Sequence, residues 1–223
     1  HLVGDAWLAE KFDEVIRLCK DARIYNPEEI KFYYYQGLAY FNKDDFDNAL
    51  DAFKNGVGAI TGESDVEMVS DLYMLMGDLL FKKEMKAEAY EAYDSCLQWR
   101  PDNIACLNNY AYFLSIDGKH LDKAEEMSRR TIKKEPENPT YLDTYAWVLF
   151  RQKRYAEAKI YIEQALMFDT VDVSADVLEH AGDIYANNGE MEKAMKKWKE
   201  ALKLAPENKV LIRKIKLKKY LRR

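Results

Sequence analysis

One frame of residues recurs along the whole chain and restricts its fold more than any other feature. The clearest copy reads Leu178-x-x-Ala181-Gly182-x-x-Tyr185, then Ala194-x-x-x-Trp198-x-x-Ala201, then Pro206. The same frame fits Tyr73-x-x-Met76-Gly77-x-x-Leu80 with Ala89, Tyr93, Cys96 and Pro101, and Tyr33-x-x-Gln36-Gly37-x-x-Tyr40 with Ala49, Phe53 and Gly56. Weaker copies begin at Leu107 and Leu142, and a partial first copy holds Val15, Cys19, Ala22 and Pro27. The markers Val15, Ala49, Ala89, Ala124, Ala158 and Ala194 are 34, 40, 35, 34 and 36 residues apart. A period of this size means an array of supersecondary units, each too small to bury its apolar face alone.

Each position in the frame has a physical reason. Large residues at i, i+3 and i+7 lay one apolar stripe along a first helix. Small residues beside it (Gly37, Gly77, Ala111, Ala146, Gly182), and the marker alanines on the second helix, allow two axes to approach closely. Pro27, Pro101, Pro136 and Pro206 stop the second helix. Short polar turns such as Asn42–Asp45 and Asn187–Glu190 suit antiparallel neighbours. Composition agrees: 48% apolar residues can bury a core and exclude a disordered chain, while only 9 Gly and 5 Pro argue against sandwiches and barrels. The longest apolar run, Tyr145–Phe150, falls far short of the roughly 18–20 residues that span a bilayer, so a soluble, all-helical protein is expected. Cys19, Cys96 and Cys106 have no CxxC spacing and read as small buried hydrophobes, with a weak lean towards a reducing compartment.

These residues resemble the tetratricopeptide repeat family of helix-turn-helix units, from about Val15 to Pro206. The resemblance implies an all-α, right-handed superhelical solenoid of about six repeats plus a C-terminal capping helix. The expected boundaries are 1–27 for a partial first repeat, then repeats at 28–62, 66–101, 102–138, 139–172 and 173–207, and a basic capping helix at 208–223. Tyr141–Phe150 followed by Glu179-His-Ala-Gly-Asp183 looks like bacterial members, some of them exported or envelope-attached. Localisation stays open between cytoplasm and periplasm, and the chain is expected to begin inside a unit, with upstream residues missing. The 40-residue interval places a glycine-bearing connection at Asn55–Asp65, either a loop insertion or a hinge between the first two units and the rest.

No catalytic constellation is visible, so an enzyme is not expected, nor is a cofactor or metal: His1, His120 and His180 have no second ligand at helical spacing. What the family offers is a concave groove lined by the first helices. Carried onto this chain, its lining positions include Tyr34, Phe41, Met74, Asp78, Phe81, Asn108, Tyr112, Asp143, Trp147, Phe150 and Arg151 as ligand-binding residues. The aromatics are either hot spots for a protein or peptide segment or side chains packed against adjacent helices. Acids at further lining positions, Asp71, Asp176, Glu179 and Asp183, add to a groove suited to a neutral or basic ligand. The lysines of the family's carboxylate clamp are absent. Glu125 and Glu126 fall on exposed faces.

Residues 209–223 hold eight basic residues and no acid, which leaves a formal charge of −13 on the rest of the chain. This segment reads as a cap on the last repeat, with membrane contact through it or through a missing anchor as the alternative. The acidic body disfavours nucleic acid. The leading expectation is a non-enzymatic scaffold for a protein or peptide partner; the other is a self-associating (homo-oligomeric) or tethering module of a larger protein.

Overall fold

The computed structural model describes residues 2–169 and 173–221. His1, the end of the fifth expected repeat (170–172) and Arg222 and Arg223 of the basic tail lie outside the described residues. Among the described residues the chain is all α, with no strand. Its helices are α1 Leu2–Leu8, α2 Phe12–Tyr25, α3 Ile30–Asn42, α4 Phe46–Gly58, α5 Val66–Lys82, α6 Lys86–Trp99 and α7 Ile104–Asp117. They continue as α8 Leu121–Lys134, α9 Pro139–Arg151, α10 Tyr155–Phe168, α11 Ala175–Asn187, α12 Met191–Leu204 and α13 Lys209–Leu217. The chain forms two compact units, His1–Cys106 and Leu107–Arg223, and the division falls within α7.

Inside each unit, consecutive helices pack in chain order, and first helices of adjacent pairs also touch: α3 on α5 in the first unit, α9 on α11 in the second. This is a helical-repeat fold. Each first helix turns into its second through a residue in the left-handed region: Glu10, Asp44, Glu84, His120 (preceded there by Gly118, also left-handed), Lys153 or Gly189. Pro27, Pro101, Pro136 and Pro206 each lie two residues beyond the last residue of a second helix.

The small residues of the repeat are required by rings as well as by axes. A Cβ on Gly37 would come within 2.3 Å of Phe53, one on Gly77 within 2.8 Å of Tyr93, and one on Gly182 within 2.3 Å of Trp198. Those three aromatics are fully buried, four residues after a marker alanine. Where the frame carries Ala111 or Ala146 instead, the residue at that position is Ser128 or Ile162. Gly182→Ala should therefore destabilise by about 1–3 kcal/mol, because an overpacked, fully buried indole has nowhere to go. Ala146→Gly should cost only about 0.5–1 kcal/mol; urea unfolding of both variants distinguishes the two sizes.

Two expectations need correction. Helix α4 runs through Gly58, so the connection after it is shorter than Asn55–Asp65. Gly56 is buried, and a Cβ there would lie 2.9 Å from the Cβ of Tyr33, so glycine allows α4 to press on α3. Helices α4 and α5 pack across the connection, and the chain divides within α7 instead of at Gly56–Gly62. Glu125 is also not on an exposed face. Its side chain is 13% exposed and accepts from Arg129 and Gln152 and pairs with Arg154. Burial raises its pKa, but these partners prevail and hold it down to about 2.

The C-terminal helix is built as the first helix of a further repeat. Asn208 caps α13 by accepting from the backbone N–H groups of Val210 and Leu211, as Asn138 caps α9 and Ser174 caps α11. Leu211 is fully buried.

Candidate functional site

The second unit gathers several of the expected groove residues around one cavity. Every residue from Leu142 to Phe150 on α9 is buried, as is every residue from Leu178 to Tyr185 on α11. Second helices cover one side of these helices, and neighbouring first helices cover the other. Asp143, Trp147, Phe150, Glu179 and Asp183 are therefore enclosed, not presented to solvent.

Aromatic stacking sets the wall of the cavity. The Trp147 indole lies 4.0 Å from the His180 ring at an interplanar angle of 18°, and 4.8 Å from Phe150 at 15°. Tyr220, beyond α13, meets Phe150 edge-on at 5.3 Å, and Tyr112 on α7 lies 6.1 Å from His180. The cavity measures about 130 Å³, room for a few waters or a small side chain. It is lined by Tyr112, Ile116, Trp147, Arg151, His180 and Tyr220, together with an ionic cluster.

That cluster consumes the acids. Lys214 is 1% exposed, and its Nζ donates to Glu179 Oε1 at 2.6 Å and Asp183 Oδ2 at 2.7 Å. Asn208 donates to the other oxygen of Glu179, and Trp198 Nε1 to the other oxygen of Asp183. Burial pushes Asp183 up to about 6, against the pull of Lys214. Beside it, His180 Nδ1 lies 3.0 and 3.1 Å from the two carboxylate oxygens of Asp143. Burial pulls the imidazole pKa down, but the Asp143 charge and hydrogen bond outweigh it, and the net shift is upward. The acid-rich lining read from the sequence is thus spent internally: Asp143 on His180, Glu179 and Asp183 on Lys214, and Asp78 in the first unit on the Tyr93 hydroxyl.

His180 and Asp183 hold protons more tightly in the folded chain than their ordinary values. The stability linked to a raised pKa is present below the unfolded value and lost as pH rises through the folded one. The second unit should accordingly lose stability from about pH 4 through about 6 as Asp183 ionises, and further above 6.5 as His180 does. The urea midpoint of His180→Phe should fall less than that of the parent between pH 6.5 and 8.

The remaining expected residues are placed as follows. Arg151 donates to the Ile116 carbonyl at 2.9 Å. Asn108 is 6% exposed, and its Oδ1 has no hydrogen-bond partner among the described residues; nor does Trp147 Nε1. A buried, unsatisfied polar atom costs about 1–3 kcal/mol. Tyr34, Phe41, Met74, Asp78 and Phe81 sit in the first unit on α3 and α5. Tyr34 is half-buried against Tyr35, Phe41 is 39% exposed against Phe46, Met74 is half-buried, and Phe81 is buried against Tyr90. Among the described residues no three His, Cys, Asp or Glu side chains converge as metal ligands.

The sequence reading missed His180, Lys214 and Tyr220. A signal for the first two existed in the register. His180 and Lys214 each sit six residues after a cap, Ser174 or Asn208, and their partners Asp143 and Glu179 sit five after Asn138 or Ser174. The sixth position of one first helix reaches the fifth of the preceding one.

Tetratricopeptide repeat profiles match residues 32–55, 70–103, 140–171 and 175–208, more than half of the chain. A TPR repeat-containing protein of Pseudomonas aeruginosa is 27% identical over 159 residues, covering 71% of this chain and 26% of that protein. The chain thus spans about a quarter of the length of that curated relative. Among solved structures, PilW, a widely conserved type IV pilus biogenesis factor, gives a TM-score of 0.74 at 16% identity over 95% of this chain and 94% of its own. A tetratricopeptide repeat protein from Parabacteroides merdae gives 0.67 at 16% identity over 97% and 81%. The Cut9–Hcn1 hetero-tetramer of APC/C gives 0.78 at 13% identity over 97% and 41%. At these identities the structural likeness is one of fold.

Proposed function

Since the chain belongs to the tetratricopeptide repeat family, whose members generally mediate protein–protein interaction, we propose that it is a non-enzymatic scaffold binding a segment of a partner protein at the cavity of the second unit. The observation that supports this reading is the meeting of Tyr112, Trp147 and Arg151, three expected groove residues, on the wall of one small cavity. The partly exposed Tyr112 and Tyr220 supply contact area at low entropic cost, as hot spots do, over the buried Trp147 wall. The volume of about 130 Å³ suits one small side chain of an extended segment. Pairing of the cluster acids with Lys214 removes the preference for a basic segment. Binding here would select for shape and apolar contact.

The experiment is selection of peptides from a displayed random library against the full chain, followed by affinity measurement. Ligands of about micromolar Kd are expected for segments that order on binding. Ile116 is 38% exposed at the cavity, so Ile116→Arg should leave the thermal midpoint unchanged and weaken those peptides at least tenfold. Peptides that bind Ile116→Arg as tightly as the parent would place the site elsewhere, and the five aromatic, Met and Asp positions of α3 and α5 would be tested next.

A further inference from the structure

The outer side of α13 is fixed by what the inner side buries. Leu211 and Lys214 point into the unit, which leaves Lys209, Arg213 and Lys216, spaced i, i+4 and i+7, as one exposed stripe. Two aliphatic side chains flank that stripe on either side of the helix: Ile212 at 45% exposure and Leu217 at 54%. Lys218 and Lys219 follow directly and are exposed. Helix α12 packs against α13 and exposes its own basic stripe, Lys196, Lys199 and Lys203, ending at Leu204, 59% exposed. None of these eight cations forms an ion pair among the described residues. Nearby acids are few: Glu207 precedes α13, Glu192 is exposed on α12, and Glu200 is paired with Lys197. This concentration runs against the rest of the molecule, which carries a formal −13 outside residues 209–223.

We propose that this face docks the protein on the surface of an anionic lipid bilayer. The chemistry fits a membrane interface at three points. Exposed lysines on long, unpaired stems suit mobile headgroup phosphates better than the fixed carboxylates of a folded partner. Ile212, Leu217 and Leu204 gain burial among the upper acyl segments while the cations stay at headgroup level. A phosphate polymer would leave those aliphatics in water, and its flanks would meet the acidic remainder of the chain. No helix among the described residues is long and apolar enough to cross a membrane, so the contact is interfacial.

The test is flotation of the full chain with vesicles of phosphatidylcholine alone or with about one-third phosphatidylglycerol, at roughly 0.1 M salt. Binding is expected to the anionic vesicles and not to the neutral ones. Each cation near such a surface is worth about a fivefold change in partitioning, so Lys209→Glu with Arg213→Glu and Lys216→Glu should lower it at least about 100-fold. Ile212→Ser with Leu217→Ser should lower it at least about tenfold. All five positions are exposed, so helicity and the thermal midpoint report whether the variants stay folded. Equal binding to neutral vesicles, or vesicle binding untouched by the charge reversals, overturns the proposal. So does binding to duplex DNA that survives the serine changes in the absence of vesicle binding. Sedimentation showing self-association that the reversals abolish, again with no vesicle binding, would assign the face to a second copy of this chain and overturn it equally.

Discussion

Lys214→Met is expected to destabilise the second unit by about 3–5 kcal/mol, measured as a fall in the urea midpoint. Glu179 and Asp183 are each 2% exposed, and Lys214 is the ammonium that both accept from. Removing it leaves two buried carboxylates without a counter-charge, whereas the unfolded chain solvates all three groups freely. The loss should be larger at pH 8 than at pH 5. Burial already raises the Asp183 pKa, and without Lys214 the main opposing pull is gone, so Asp183 binds a proton on folding and stability drops as pH rises. Adding Glu179→Gln and Asp183→Asn should recover most of the loss. The amide oxygens still accept from Asn208 and Trp198, and neither position carries a carboxylate that needs a counter-charge. Lys214→Met within about 1 kcal/mol of the parent at pH 8 would mean that α13 detaches readily and that the cluster hydrates.

Trp147→Ala is expected to cost about 3–5 kcal/mol, the range for truncating a buried aromatic. By register Trp147 is a groove position, where truncation should affect a ligand and spare the fold. In the structure it is 8% exposed and sandwiched between His180 and Phe150. Trp147→Phe should be far milder, since it keeps part of the stack and removes an indole N–H that has no acceptor among the described residues. Thermal and urea unfolding of the pair, compared with Ile116→Arg, separates a core effect from a binding effect. A Trp147→Ala midpoint equal to that of the parent would return this residue to the ligand-facing set.

The repeat was legible because its determinants are local or lie one hairpin apart. The prolines two residues beyond second helices and the pairing of glycine with Phe53, Tyr93 or Trp198 act within about 25 residues, and the markers Ala49, Ala89, Ala124, Ala158 and Ala194 repeat at intervals of 40, 35, 34 and 36 residues. The connection expected from Asn55 starts too early, since Gly56 lies inside α4, where the lack of a Cβ admits Tyr33 of the preceding helix. The site was legible in part. Tyr112, Trp147 and Arg151 were placed on a common surface by register, and they line one cavity. His180 and Lys214 were set aside, the first as a lone histidine and the second as one charge among eight in a basic capping helix.

Amino-acid order alone settled that this chain folds as paired helices, which faces are apolar, and where each pair turns, since helix periodicity, turn chemistry and close-approach positions are written into neighbouring residues. Tertiary structure decided which groove positions face solvent and which acids remain available. Both depend on side chains a full repeat away, 37 residues for Asp143 and His180 and 35 for Glu179 and Lys214, brought within hydrogen-bonding reach only when adjacent first helices stack.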